Sequence, residues 1–144
     1  MKMSTRTRYG MRALMELAAH HNEGPLQLRI IAERQDISVK YLEQLMAILK
    51  TGGFIRSIRG AKGGYILADE PKKIKLDGVF KCLEGTSAAV DCLDDKGSCS
   101  RASDCVTRQV WQKLQDAVDS VLCSLTMQDL ADRASQKSAV NYEI

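Results

Sequence analysis

Between residues 39 and 51, Leu42, Leu45, Met46 and Leu49 fall at i, i+3, i+4 and i+7. This spacing marks the inner face of an amphipathic helix. The other face carries Lys40, Tyr41, Glu43, Gln44, Ala47 and Lys50, and Gly52-Gly53 ends the element. Upstream, Tyr9, Ala13, Leu14, Leu17 and Ala18 predict a first helix over about 8–22, with Gly24 as its cap and Pro25 as a stop. Leu28, Ile31 and Ala32 predict a short second helix over about 27–34. Gln35-Asp36-Ile37-Ser38 is then a tight turn. Asp36 is placed at positive φ, which Asp tolerates better than most residues, and Ser38 is the natural N-cap of the third helix. Phe54–Arg59 and Gly64–Leu67 read as two short strands around the glycine-rich tip Gly60-Ala61-Lys62-Gly63.

The rest of the chain is patterned differently. A fourth helix is expected over about 75–83, and the polar stretch 84–103 reads as a loop. A long helix starting near Ser103 or Asp104 carries Val106, Val110, Leu114, Ala117, Val121 and Leu125, widened by Trp111, Val118 and Leu122. So wide an apolar face on one long helix invites pairing with a second copy of the chain. Thr126-Met127-Gln128-Asp129 reads as the capped start of a short last helix, and the tail from Ala134 reads as loose.

Three helices, a tight turn before the third, and a hairpin follow the winged helix-turn-helix order. The fold class expected is mainly α: a winged helix-turn-helix domain over 1–75, a connecting helix and cysteine loop over 76–103, a dimerisation helix over 104–125, and a short helix with a tail over 126–144.

Charge divides along the same line. Residues 1–75 carry 14 Lys+Arg against 7 Asp+Glu, a net +7, while 76–144 carry 7 against 11, a net −4. A basic half points to an anionic partner, and the three-helix pattern with its hairpin makes that partner double-stranded DNA. Ser38, Lys40, Tyr41, Glu43 and Gln44 occupy the part of the third helix that enters a major groove. Gln44 suits a bidentate contact to adenine and Glu43 an acceptor for cytosine N4, with Lys40 and Tyr41 on phosphates. Arg56, Arg59 and Lys62 surround the hairpin tip, where an arginine can enter a narrow minor groove. Gly60-Ala61-Lys62-Gly63-Gly64 has no Ser or Thr after its lysine and opens no helix, so it is not a nucleotide-phosphate loop. No Ser/His/Asp arrangement or catalytic carboxylate pair is visible, and an enzyme is not expected.

Five cysteines add a second chemistry. The opening residues lack a leader pattern, and no apolar run approaches the roughly 20 residues of a membrane span. A cytoplasmic protein without a membrane partner is expected, and there clustered thiols serve metals, clusters or redox chemistry more often than disulfides. Cys92-x6-Cys99-x5-Cys105 places three thiols within 14 residues, the last at a helix start. A helix N-terminus favours thiolate, and soft thiolates select Zn, Cu(I) or iron–sulfur clusters. The CxxC pairs of zinc sites and the ferredoxin spacings are absent. Redox thiols without a metal are the other reading. Cys82 and Cys123 are expected to be small buried hydrophobes.

Ser4-Thr5-Arg6, Tyr9, Met11-Arg12-Ala13-Leu14, Ile30 to Gln35, Ile37-Ser38, Tyr41 to Leu45, and Arg59-Gly60-x-x-Gly63-Gly64-Tyr65-x-Leu67 resemble the iron–sulfur cluster regulators of the IscR and NsrR type. The three-cysteine loop and Trp111 match as well, and the resemblance covers about residues 1–130. It implies a homodimeric transcription regulator, a repressor, on a pseudo-palindromic operator. Its long helices cross between subunits, and Cys92, Cys99 and Cys105 hold an iron–sulfur cluster that senses iron, nitric oxide or redox state. Two positions depart from the pattern. Arg108 stands where IscR-type proteins have a histidine ligand. Arg8 and Arg12 stand where related sensors lend a carboxylate from the partner's first helix. The missing histidine tilts the resemblance toward a 4Fe–4S over a 2Fe–2S cluster, with Asp91, Asp94, Asp104, Cys82 or an exogenous group in the fourth position. Regulators of cysteine metabolism in the same family respond through a partner enzyme, which leaves a cluster-free thiol switch as the alternative.

Overall fold

The computed structural model describes residues 2–142, Tyr142 by its backbone alone. In chain order it contains α1 (Thr5–Ala19), α2 (Leu28–Gln35), α3 (Val39–Thr51), β1 (Ile55–Ile58), β2 (Gly64–Leu67), α4 (Leu76–Glu84), α5 (Asp91–Asp94), α6 (Val106–Ser124) and α7 (Met127–Tyr142). Single-turn 3-10 helices lie at Pro71–Lys73 and Lys96–Ser98. This is the expected mainly helical winged fold.

The helix-turn-helix is built as its residues dictate. Asp36 takes φ 51 at the end of α2. Ser38 caps α3, its hydroxyl accepting from the Tyr41 amide at 3.2 Å. Leu42, Leu45, Met46 and Leu49 are buried against Ala13, Leu14 and Leu17 of α1 and Ile31 of α2. β1 and β2 pair antiparallel from Ile55↔Leu67 to Ile58↔Gly64. Leu26 adds a bridge to Tyr65, which ties the wing to the start of α2.

α1 ends at Ala19, three residues before the expected end, and Gly24 (φ 88) serves the following turn rather than the helix cap. His20 caps α1 through its own amide, and Asn22 already has φ 68. At the other end Ser4 caps α1, accepting from the Thr7 amide at 3.1 Å.

The chain leaves this core and comes back to it. After α4, residues 85–105 form a lobe beside the start of α6, and α6 runs back. Leu76 N donates to Leu125 O at 3.0 Å and Met127 N to Ile74 O at 2.9 Å, so the exit of α6 is sewn to the entry of α4. Thr126 and Asp129 cap α7 reciprocally, with the Thr126 amide donating to Asp129 Oδ2 at 2.7 Å and the Asp129 amide to Thr126 Oγ1 at 3.3 Å. α7 packs on α1, and Met127 and Ala131 join the core.

Two expectations about the second half need correction. The stretch 84–103 contains α5 and a 3-10 turn rather than loop alone. The tail from Ala134 is helical to Tyr142, and residues 143–144 lie outside the described residues. Residues 127–142 contain no Gly or Pro, so propensity carries the helix past the end of its apolar contacts. The domain limits expected at 75 and 104 fall beside the starts of α4 and α6.

Candidate DNA-reading surface and cysteine lobe

Ser38, Lys40, Glu43 and Gln44 are exposed on α3, and Tyr41 is half-buried. The Tyr41 ring meets Tyr9 of α1 edge-on, with centroids 6.1 Å apart and an interplanar angle of 86°. The guanidinium groups of Arg12 and Arg8 lie 5.1 and 5.8 Å from the Tyr9 centroid. Both contacts are favourable, the first by edge-to-face geometry and the second by cation–π attraction. They brace the start of α3 against α1 and put two cations beside Tyr9. Arg12 also donates to the side chain and backbone carbonyl of Gln35 in the turn. Val39, in the first turn of α3, is 44% exposed. It lies off the buried stripe, a signal the periodicity alone did not reveal. An exposed apolar side chain there suits a thymine methyl.

Arg59 and Lys62 are exposed around the wing tip, where Gly60 takes φ 115. A Cβ on Gly63 would stand 2.1 Å from Ile58 O and one on Gly64 2.5 Å from Leu26 O, so side chains are excluded from both. Arg56 sits lower, at the base of β1, and donates to Ala68 O at 3.0 Å. Lys50 Nζ donates to Ser57 Oγ at 2.8 Å, which joins the end of α3 to the wing.

The three cysteines share one lobe. Cys92 lies on α5, Cys99 follows the 3-10 turn, and Cys105 is the N-cap residue of α6. Cys99 is exposed, and Cys92 and Cys105 are half-buried. Cys105 Sγ and Thr107 Oγ1 are hydrogen-bonded at 3.2 Å. That bond, and then the Arg108 backbone amide at the helix start, hold the Cys105 thiol below its ordinary range. Arg108 donates to Cys92 O at 3.2 Å, so the side chain in the histidine position clasps the lobe instead of offering a ligand. Among the described residues, no three His, Cys, Asp or Glu side chains converge closely enough to hold a metal ion. The donors suit a thiophilic centre by chemistry and by their place on one lobe. From Glu84 to Leu114 no residue is buried, so this lobe has no core of its own.

The other two cysteines divide. Cys82 is half-buried against the end of α3, its thiol donating to Ile48 O at 3.7 Å, and burial pushes the thiol up. Cys123 is exposed on α6, contrary to expectation. Its neighbours on α6 are exposed too: Val106 (73%), Val110 (52%), Leu114 (47%) and Val121 (57%). Part of the expected apolar face is thus uncovered in a single chain, while Leu122 and Leu125 of the same expected face pack against the core. No described helix is long and apolar enough to cross a membrane.

Residues 3–133 match the model of the Rrf2 family, described as an iron-dependent transcriptional regulator. The chain belongs to the Rrf2 family of transcriptional regulators. It is 42% identical over 131 residues to the regulator CymR of Bacillus subtilis, covering 91% of this chain and 90% of that one. The solved CymR structure, titled as the global cysteine regulator of B. subtilis, superposes with a TM-score of 0.79 at 41% identity, over 92% of this chain and 98% of CymR. The structure of T. potens IscR superposes with a TM-score of 0.77 at 42% identity, over 93% of this chain and 88% of that one. Like these Rrf2 relatives, the protein is a DNA-binding transcription regulator and not an enzyme. It is similar to IscR and to CymR alike.

Proposed function

We propose that this Rrf2 protein is a cytoplasmic homodimer that reads a pseudo-palindromic operator and senses its signal through an iron–sulfur cluster held by Cys92, Cys99 and Cys105. The observation that carries the cluster is the coreless lobe. A segment without one buried residue from Glu84 to Leu114 cannot be ordered by apolar burial. It carries Cys92, Cys99 and Cys105, and bonds to a metal centre would supply the organisation that a core would otherwise give. The cluster would contribute redox- and nitric-oxide-reactive iron. The chain contributes thiolates, one of them already favoured at the α6 N-terminus.

DNA reading is assigned to Ser38, Lys40, Tyr41, Glu43 and Gln44 on α3 and to Arg56, Arg59 and Lys62 in the wing. Arg59 is placed toward the minor groove. Arg56 is the weakest of these, because part of its guanidinium is engaged at Ala68. The dimer is assigned to the uncovered stripe Val106, Val110, Ala117 and Val121. Two reading heads so joined would meet half-sites about one helical turn, roughly 34 Å, apart.

The test is anaerobic purification with iron and sulfide analysis and a visible spectrum, on wild type and Cys92→Ala. About four irons per chain with broad visible absorption, lost in the variant, supports the cluster and its favoured four-iron form. About two irons corrects the form and keeps the cluster. Protein without iron or sulfide sinks the cluster and leaves a second reading, a thiol switch at Cys105. That reading is favoured by the lowered thiol and by the likeness to a regulator titled for cysteine.

A further inference from the structure

Val39 opens α3 and is 44% exposed. Among the described residues of α3, it alone is an exposed large apolar side chain. The residues assigned to DNA on this helix, Ser38, Lys40, Tyr41, Glu43 and Gln44, all act through a polar group. The first turn that carries Val39 is firmly placed. Ser38 Oγ accepts from the Tyr41 amide at 3.2 Å, and the Tyr41 ring meets Tyr9 of α1 with centroids 6.1 Å apart. A valine in a helix keeps one strongly preferred χ1 rotamer, so its two methyl groups are presented in a fixed direction.

Val39 also shares a line with Glu43, which is exposed. Residues four apart on a helix lie on one face, one above the other. They are separated by about 6 Å along the axis, close to twice the roughly 3.4 Å rise of a base step. A recognition helix touches base edges with its N-terminal residues. In the major groove the thymine C5-methyl is the apolar group among the base edges, and cytosine N4 is a donor that a carboxylate accepts. Val39 and Glu43 therefore suit a thymine and a cytosine at neighbouring positions of one half-site.

We propose that Val39 is a specificity-determining residue, selecting thymine by packing on its C5-methyl within about two base pairs of the cytosine read by Glu43. The inference rests on the assignment of α3 to the major groove. It adds an apolar discrimination to the polar contacts, and one that salt does not screen.

An operator is first selected from randomised duplexes with the full chain. Each thymine of one half-site is then replaced singly by deoxyuridine, which removes the methyl and keeps every hydrogen-bonding group. Anisotropy titrations should find a position where the replacement weakens binding about three- to fivefold, the effect of burying one methyl, at low and high salt alike. In Val39→Ala the thymine and uracil operators should bind alike. Alanine is the better helix former, so α3 keeps its fold, which circular dichroism checks. A purely structural role for Val39 would weaken both operators and leave their ratio in place, and that result overturns the proposal. So does a wild-type protein indifferent to every uracil replacement, or a half-site without thymine within about two base pairs of the position that Glu43→Ala alters. A selection that enriches no sequence overturns the base-reading assignment of α3 itself, and this inference with it.

Discussion

Glu43 and Lys62 are both exposed on the basic half, yet their charges give them different work. A carboxylate on the face of α3 is repelled by phosphate, so it contributes only by accepting from a base edge. Lys62 at the wing tip carries a point charge that any backbone satisfies. Glu43→Ala should change which base is preferred at one position of a selected operator, while Lys62→Ala should weaken all DNA alike and lower the salt slope by about one. Anisotropy titrations on operator and random duplexes at several salt concentrations separate the two. Equal loss on both duplexes for both variants would remove the base-reading role of Glu43.

Glu84 is a residue whose part only the folded chain reveals. It closes α4 onto α1, accepting from Ser4 Oγ at 2.7 Å and from Thr7 Oγ1. The Thr7 and Ser4 hydroxyls hold its carboxyl below the usual carboxylate range. A depressed folded pKa adds stability that is complete above the unfolded value, about 4.3, and is lost as the pH falls through the folded value. Glu84→Gln should lower the thermal midpoint at pH 7 and shrink the difference between midpoints at pH 6 and pH 3.5. An unchanged pH profile would show that the bond adds nothing to folding.

At the scale of elements, the wing depends on backbone approach as much as on pairing. Tyr65 N donates to Leu26 O at 2.8 Å and Leu26 N to Tyr65 O at 3.0 Å, at the place where Gly64 leaves no room for a Cβ. Gly64→Ala should cost about 1–3 kcal/mol in denaturant unfolding and weaken DNA binding by loosening the wing. Undiminished stability would mean that Leu26 yields freely.

The helix-turn-helix was legible because each signal there is local. Asp36 at the turn, Ser38 at the cap and the four apolar residues of α3 all agree. The end of α1 was misplaced because Asn22 and His20 took up the turn ahead of Gly24. α7 past Ala134 was hidden because no apolar stripe marks it, and helix propensity leaves no pattern to read. The three cysteines were legible as a set. Their arrangement was not, because α5 and the 3-10 turn between them have no buried residue to announce them.

At the scale of the molecule, α6 joins everything. Its N-terminus holds Cys105, its middle carries the uncovered apolar stripe, and its end is sewn to α4. The proposed dimer seats on this uncovered stripe. Val110→Asp should therefore convert the dimer to monomer in light scattering and cut operator affinity more than affinity for a half-site. A dimer that survives this change places the interface elsewhere.

The central claim is that the state of the cysteine lobe governs the reading heads. It is tested most directly by operator affinity, measured anaerobically by anisotropy on one iron-containing preparation, before and after iron removal, with Cys105→Ser alongside. The account predicts a change of about tenfold or more on iron removal, in the range typical of allosteric coupling. Cys105→Ser should match the iron-free protein, and random DNA should be unaffected. Identical operator affinity in all three samples would contradict it.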